Sequence, residues 1–295
     1  MTRKSLLRRL FEFGAACVLA AGTLTAWADD PAALRAKYDA IRGELRSNPY
    51  GRPMYVESSE GDRSLRGDVY AVLDHPFDTV SRAMKDPAQW CDIMILPFNT
   101  KYCRAQDAGH VAMRIGRKYD QPVEQAYRLD FAYRNLAASP EFYESHLAAP
   151  QGPVGTRDYR ITVSAIPLDG GRTFMHLGYS YGYGTAGRFA MQMYLSTAGA
   201  DKVGFSVAGR DPGGRPQYIG GVRGAIERNV MRYYLAIDAY LDSLESPKAQ
   251  QVDRRINTWF DATERYARQL HEMDRSTYVS MKKQEYERQN SLALQ

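Results

Sequence analysis

The sequence predicts an α+β fold in which an antiparallel sheet closes over one long helix near the C terminus. Residues 220–245 repeat apolar side chains at spacings of three and four, which is typical of an amphipathic helix. Residues 126–135 alternate apolar and charged side chains, which is typical of a half-buried antiparallel strand. Much of the chain before residue 220 carries similar short segments. A sheet of that size needs a long element to cover its apolar face.

The long helix is bounded by Gly220 and Gly221 at its start and by Pro247 just beyond its end. At a rise of ~1.5 Å per residue it would span about 40 Å. Charged residues such as Glu227 and Asp238 fall mostly on its other sides, as does Arg228. The apolar stripe consists of Val222, Ile226, Val230, Tyr233, Ile237, Leu241 and Leu244.

One polar residue, Asn229, interrupts this stripe between Ile226 and Tyr233 on the helical wheel. Burying its amide without a partner would cost about 1–3 kcal/mol. We therefore expect either a backbone carbonyl or a bound ligand to satisfy it.

The remaining elements are short. Residues 31–47, 77–84 and 88–95 predict helices. Residues 137–157 predict an irregular segment with at most a short helix at 141–143, whereas 186–197 fit either a helix or more strand. Strands are predicted at 54–58, 67–74, 99–104, 110–118, 126–135, 158–166, 172–183 and 202–208.

Residues 1–28 have the three parts of a secretory signal: a basic start, an apolar middle, and an Ala26-Trp27-Ala28 cleavage site. The alternative is a retained membrane anchor, but the apolar part is shorter than the ~20 residues that span a bilayer. We expect export to the periplasm and cleavage after Ala28.

Charge excludes one class of partner. The chain has 39 basic and 34 acidic residues, and the predicted signal holds four of the bases and one of the acids. The mature chain would therefore carry a formal charge of only about +2, with no basic block. Nucleic acid is not an expected partner.

Cys91 and Cys103 are the cysteines of the mature chain. In an exported protein such a pair indicates a disulfide, and two buried free thiols are the alternative. The five histidines follow no HxH or HExxH spacing, so we expect neither a metal nor another cofactor.

Residues 249–290 are highly charged but keep an apolar helical stripe. The simplest interpretation is an appended amphipathic helix that packs on the body of the protein. The alternative is a transient contact with a membrane surface or a protein partner. Acids and bases are mixed on its polar face, which weakens the membrane interpretation.

The order of strand, two short helices, further strands and a long helix resembles the helix-grip fold of START-like proteins. This superfamily includes StAR-related lipid-transfer domains, polyketide cyclases and the birch-pollen allergens. The resemblance covers roughly residues 67–245 and is strongest in GDVYAVLDHPFDTVSRAMKDPAQWCDI. The whole chain also resembles a family of exported proteobacterial proteins through WCDIMILPFNTKYC, GPVGTRDYR, KVGFSV and GAIERNVMRYYLAIDAYL, which carries over no activity.

This resemblance implies a domain organisation for the chain. It implies a helix-grip domain at 67–247, in which a curved antiparallel sheet wraps the long helix. A helix and lead-in strand would precede it at 29–66, and the helical extension would follow at 248–295. The segment 137–157 and the extension depart from the family pattern.

The resemblance also implies a cavity between sheet and helix that holds a hydrophobic small molecule or lipid. The expected cavity residues come from the inward faces of the strands and from the apolar stripe. They are Met113, Tyr127, Phe131, Ile161, Tyr179, Tyr181, Asn229, Tyr233 and Ile237.

The leading hypothesis is thus a periplasmic carrier of a lipid-like molecule. A cyclase-like enzyme using the same cavity and an envelope scaffold acting through the C-terminal helix remain alternatives. Gly178-Tyr179-Ser180-Tyr181-Gly182 matches the G-x-S-x-G nucleophile elbow, but its tyrosines continue a strand alternation. We assign no catalytic residue.

Overall fold

The computed structural model describes residues 30–197 and 199–291. The predicted signal peptide and its cleavage site lie outside these residues. The strands are β1 (Met54–Gly61), β2 (Ser64–Leu73), β3 (Thr100–Asp107), β4 (His110–Ile115), β5 (Tyr127–Ala138), β6 (Tyr143–Gln151), β7 (Thr156–Leu168), β8 (Arg172–Tyr183), β9 (Val207–Arg210) and β10 (Pro216–Tyr218).

The helices of the same part of the chain precede, interrupt and follow the strands. None of them is both long enough and apolar enough to span a bilayer. They are α1 (Pro31–Ala40), α2 (Arg42–Arg46), α3 (Phe77–Met84), α4 (Pro87–Met94), α5 (Thr185–Leu195), α6 (Gly221–Ser243), α7 (Gln251–Glu264), α8 (Ala267–Leu270) and α9 (Arg275–Ser291).

One antiparallel sheet in the order β1-β2-β8-β7-β6-β5-β4-β3 forms the body of the described chain. Helix α6 packs against its inner face at β1, β2 and β8, and α3 and α4 follow β2. This is the predicted α+β arrangement, with the sheet gripping a long C-terminal helix. Strands β9 and β10 form a separate hairpin just before α6.

Helix α6 begins at Gly221, whose φ of +61° is a backbone conformation that favours glycine. The helix is buried on nearly all sides rather than along one stripe. Glu227, Arg228 and Asp238, which the sequence placed on the other sides, are all buried. The reason is that α7 and the N-terminal segment cover the side of α6 that faces away from the sheet.

The C-terminal extension belongs to the main core. The side chains of its apolar stripe pack with α6, and the indole N–H of Trp259 donates to the carbonyl of Arg232 at 3.0 Å. The extension is divided into α7, α8 and α9 instead of one helix. Its buried core members are Ile256, Trp259, Phe260, Ala262, Leu270, Tyr278 and Met281.

The predicted disulfide joins Cys91 on α4 to Cys103 on β3. It therefore ties the second short helix to the strand that follows it, as expected from the sequence. Both half-cystines are buried in the main core.

The N-terminal segment covers the outer face of the sheet. Leu34 from α1, Leu45 from α2 and Ile41 between the two helices pack in a small second core against Ile166 and Phe174. Strand β1 pairs with β2 along its whole length, and the predicted domain boundary at residue 66 falls inside β2. The segment at 29–66 is thus continuous with the sheet.

Two segments differ from the predictions. Residues 143–151 form β6 instead of an irregular segment. The sequence pattern did not show this strand, because the polar Ser145 is buried on the same face as Tyr143 and Leu147 and interrupts the apolar alternation. The predicted strand at 202–208 forms only at its end, as β9. The backbone N–H groups of residues 205 and 206 donate instead to the Glu227 carboxylate, at 2.7 and 2.8 Å.

The G-x-S-x-G segment lies wholly inside β8, where it pairs with β2 and β7. It therefore lacks the strand-to-helix turn of a nucleophile elbow. A Cβ at Gly178 would lie 3.1 Å from Asp68, so this glycine allows a close approach on the outer face.

Candidate functional site

A cavity of about 330 Å³ lies between the inner face of the sheet and α6. Strands β4, β5, β7 and β8 supply one wall, α6 supplies the second, and residues of α5 also line the cavity. Its apolar and aromatic lining includes Met94, Met113, Ile115, Leu129, Phe131, Tyr159, Tyr179, Tyr181, Met191, Tyr194 and Tyr233.

The aromatic part of the wall is a cluster of tyrosines. The rings of Tyr159 and Tyr181 stack with centroids 5.3 Å apart, and Tyr179 meets Tyr233 edge to face at 5.1 Å. Burial raises the pKa of each of these four phenols. They therefore stay neutral near pH 7 and offer hydroxyl groups to a ligand without adding charge.

Most of the residues expected in the cavity line it. They come from three strands and from α6. Whether they touch a ligand stays a prediction. They are Met113, Phe131, Tyr179, Tyr181, Asn229 and Tyr233.

Three expected cavity residues lie elsewhere. Tyr127 is the first residue of β5, beyond the edge of the cavity, and 55% of it is exposed. Ile161 and Ile237 are fully packed in the main core and reach no open space in this cavity. These residues lie on the predicted faces, but their positions along the strand or helix are away from the cavity lining.

Asn229 lines the cavity and is only partly buried. Within the described chain, its side-chain amide makes no hydrogen bond to protein. The expected backbone carbonyl is therefore not its partner there, and the amide is available to a ligand.

The polar end of the cavity was not predicted. Lys118 follows β4, and Arg228 and Arg232 lie one turn apart on α6. Glu272, from the extension, accepts hydrogen bonds from Lys118 and Arg232, both at 2.6 Å. The only local signal was the i, i+4 spacing of the two arginines on either side of Asn229, which is also typical of a solvated helix face.

Helix α5 supplies a further wall that the sequence left ambiguous. Met191 and Tyr194 face the cavity, whereas Phe189 and Met193 are more than half exposed on the opposite side. Apolar side chains on both sides of the helix hide the period that would have separated a helix from a strand.

The lining contains no histidine, aspartate or glutamate among the residues that the structure describes. The same residues bring together no group of three or more potential metal ligands. The cavity thus combines an apolar and aromatic wall with a cationic end.

No family model and no curated protein match the sequence. The chain is similar to several solved structures. Human StAR-related lipid transfer protein 5 is 8% identical and covers 74% of this chain and 100% of its own, with a TM-score of 0.36. A START superfamily protein from Mycobacterium smegmatis is 12% identical over 49% of this chain and 88% of its own, with a TM-score of 0.30.

An enzyme is also among the similar structures. Norcoclaurine synthase from Thalictrum flavum is 10% identical over 49% of this chain and 75% of its own, with a TM-score of 0.31. At these identities the similarity concerns the fold alone.

Proposed function

We propose that the protein is a periplasmic carrier that holds a hydrophobic or amphipathic small molecule between its sheet and α6. The observation that carries this proposal is the cavity of about 330 Å³ with its aromatic and aliphatic wall. Small-molecule sites are typically concave, mostly apolar chambers of ~300–1,000 Å³ with a few polar groups.

The apolar and the polar groups of the cavity wall would have different roles in ligand binding. Burying the apolar part of a ligand contributes roughly 25 cal/mol per Å² removed from water. The tyrosine hydroxyls and the Asn229 amide supply directional hydrogen bonds. The ligand would therefore be chosen by size and apolar area and oriented by a small number of polar contacts.

Two features support an exported protein. Residues 1–28 carry the pattern of a cleaved secretory signal. The Cys91–Cys103 disulfide fits an oxidising compartment. Fractionation of cells that express the full chain tests this. We expect a periplasmic protein whose mass is that of a chain beginning at Asp29. Intact protein in the cytoplasmic fraction would contradict it.

The ligand itself can be captured. Protein purified from the periplasm is measured by native mass spectrometry, and the bound material is then extracted and identified. We expect a stoichiometric apolar or amphipathic molecule. If nothing co-purifies and a panel of apolar ligands leaves the melting temperature unchanged, the carrier proposal fails.

An enzyme that uses the same cavity is the second candidate. Burial and the neighbouring Arg232 lower the pKa of Lys118. Burial raises the pKa of Tyr194, but Lys118 and Arg228 outweigh it and the net pKa is lowered. These two groups are the acid–base candidates in the lining. Recovery of the ligand chemically changed after incubation, and unchanged with a Tyr194→Phe variant, would favour this function.

The scaffold alternative has less support. The cavity is not filled by side chains, and the apolar stripe of 249–290 packs inside the protein. A partner would have to contact the charged outer face of the extension. A pull-down with charge-reversed extension variants would reveal such a partner.

A further inference from the structure

The polar end of the cavity is cationic. Lys118, Arg228 and Arg232 all line the cavity, and Lys202 approaches the same carboxylate, Glu272, with its Nζ 3.7 Å from Oε2. Among the ion pairs of the described residues, Glu272 is the acidic partner of these cations at the polar end of the cavity. One carboxylate therefore pairs with three cations, and Arg228 adds a fourth cation to the lining.

Arg228 and Arg232 have hydrogen-bond donors and positive charge that the described part of the protein does not fully pair. Arg228 donates to the Val203 carbonyl at 3.2 Å and to the Tyr194 hydroxyl at 3.3 Å, and it pairs with no carboxylate among the described residues. Arg232 binds Glu272 through its Nη2, yet within the described chain its buried Nε has no hydrogen-bond partner. Only 7% of Arg232 is exposed, so water does not readily replace that partner.

The titration of the neighbouring groups is consistent with an excess of positive charge. Burial lowers the pKa of Arg232, and the nearby Arg228 lowers it further, although Glu272 opposes this. Burial raises the pKa of Glu272, but Arg232 and Lys118 outweigh it and the net pKa is lowered. An added negative charge would relieve the repulsion among the cations.

The apolar and cationic parts share one chamber. Asn229 lies on α6 between the two arginines, and Tyr233 is next to Arg232. A ligand with its tail against the tyrosines would thus place its head beside the guanidinium groups. Guanidinium forks match carboxylate and phosphate oxygens in geometry as well as charge.

We propose that Lys118, Arg228 and Arg232 form a subsite for the anionic headgroup of an amphipathic ligand, a carboxylate or a phosphate monoester. This inference rests on the proposed carrier function, because it requires that the cavity hold the tail of the same molecule. It narrows the ligand class from any apolar molecule to acidic amphiphiles.

The test compares headgroups on one tail. Affinities for laurate, lauryl phosphate and lauryl alcohol are measured by isothermal titration calorimetry on the full mature chain, with acetate and inorganic phosphate as headgroups without a tail. We expect both acidic amphiphiles to bind about tenfold or more tightly than the alcohol, since hydrogen bonds to a charged group are stronger than those between neutral groups. Acetate and phosphate alone should bind far more weakly.

Variants locate the effect. Arg232→Met and, at the half-buried edge of the site, Lys118→Met should each reduce the preference for laurate over lauryl alcohol while leaving the alcohol affinity nearly unchanged. Arg254→Met, at an exposed position on α7, is the matched control and should change neither affinity. Because Arg232 is buried, Lys118→Met keeps the test decisive if the Arg232 variant does not fold.

The outcomes separate the two proposals. Equal binding of the acids and the alcohol overturns the anionic subsite and leaves the carrier function standing. Failure of all three amphiphiles and of other apolar ligands overturns both. If inorganic phosphate alone binds tightly and the tail adds no affinity, the proposal of an amphipathic ligand is overturned, and the site is one for a free anion.

Discussion

The ammonium group of Lys282 donates to Glu285 at 2.6 Å in a part of the interior where neither side chain is more than 1% exposed. Lys282 also donates to the carbonyls of Pro97 and Thr100, and Lys101 reaches the other oxygen of Glu285 at 2.9 Å. This buried cluster joins α9 to β3 and anchors the end of the extension. Two lysines share one carboxylate, so the cluster carries an excess positive charge.

The stability of this cluster should depend on pH in the alkaline range. Burial, only partly opposed by Glu285, lowers the pKa of Lys282 from 10.5 to about 8. Between these values the unfolded chain binds more protons than the folded chain, so the contribution of Lys282 to the free energy of unfolding rises with pH. We expect the wild type to gain stability relative to a Lys282→Met variant as the pH rises from about 8 to about 10.

Urea unfolding of both proteins across this range measures the difference. The comparison removes the effect of the tyrosines, which ionise in both unfolded chains. A stability difference that does not change with pH would contradict the lowered pKa.

Reduction of the disulfide should destabilise the protein. The Cys91–Cys103 bond closes a loop with a sequence separation of 12, and chain-entropy arguments give about 3 kcal/mol for loops of this size. We expect dithiothreitol to lower the melting temperature of the wild type. A Cys91→Ser, Cys103→Ser double variant is the control: it should start at the lower melting temperature and show no response to reductant.

A large side chain in the cavity wall should block binding without unfolding the protein. Ala190 on α5 lines the cavity, whereas Ala186 on the same helix is exposed and does not. Ala190→Phe should reduce ligand affinity about tenfold or more, because filling the chamber excludes ligand atoms. Ala186→Phe should bind as the wild type does. Equal binding by both variants would place the ligand elsewhere.

Asn229 should contribute to binding more than to folding. Because its amide has no protein partner in the described chain, Asn229→Leu leaves no hydrogen-bonding group unpaired and should not lower the melting temperature. It should weaken a ligand that carries a polar head by about 1 kcal/mol, or roughly fivefold. Calorimetry with the co-purified ligand measures this. Unchanged affinity would mean that the amide faces only solvent in the complex.

Local patterns explain what could be predicted. The spacing along α6 and the alternation along β5 are properties of adjacent residues, so the sequence shows the gripped helix and the inner face of the sheet. Asn229 was recognisable for the same reason, as a polar residue in an apolar stripe.

Long-range contacts explain what was missed. Arg228 resembles a solvated helix face until α5 and the segment at Val203 contact it, and Arg232 does so until the extension contacts it. Nothing near Lys282 in the sequence indicates that it is buried. How far the cavity extends along β5, β7 and α6 depends on where α4, α5 and the sheet end. For that reason the sequence could not show that Tyr127, Ile161 and Ile237 lie away from the cavity lining, although they lie on the predicted faces.

The two helices that bound the cavity are held very differently. Helix α6 is packed between the sheet and α7, and the Arg52–Asp238 ion pair at 2.7 Å adds a further contact. In contrast, among the described residues of α5, Gly187 is the only one that is buried. Ligand exchange should therefore proceed by displacement of α5, and its rate should be independent of global unfolding. Changes on the outer face of α5, at Phe189 or Met193, would then alter association and dissociation rates together and leave the equilibrium affinity nearly constant.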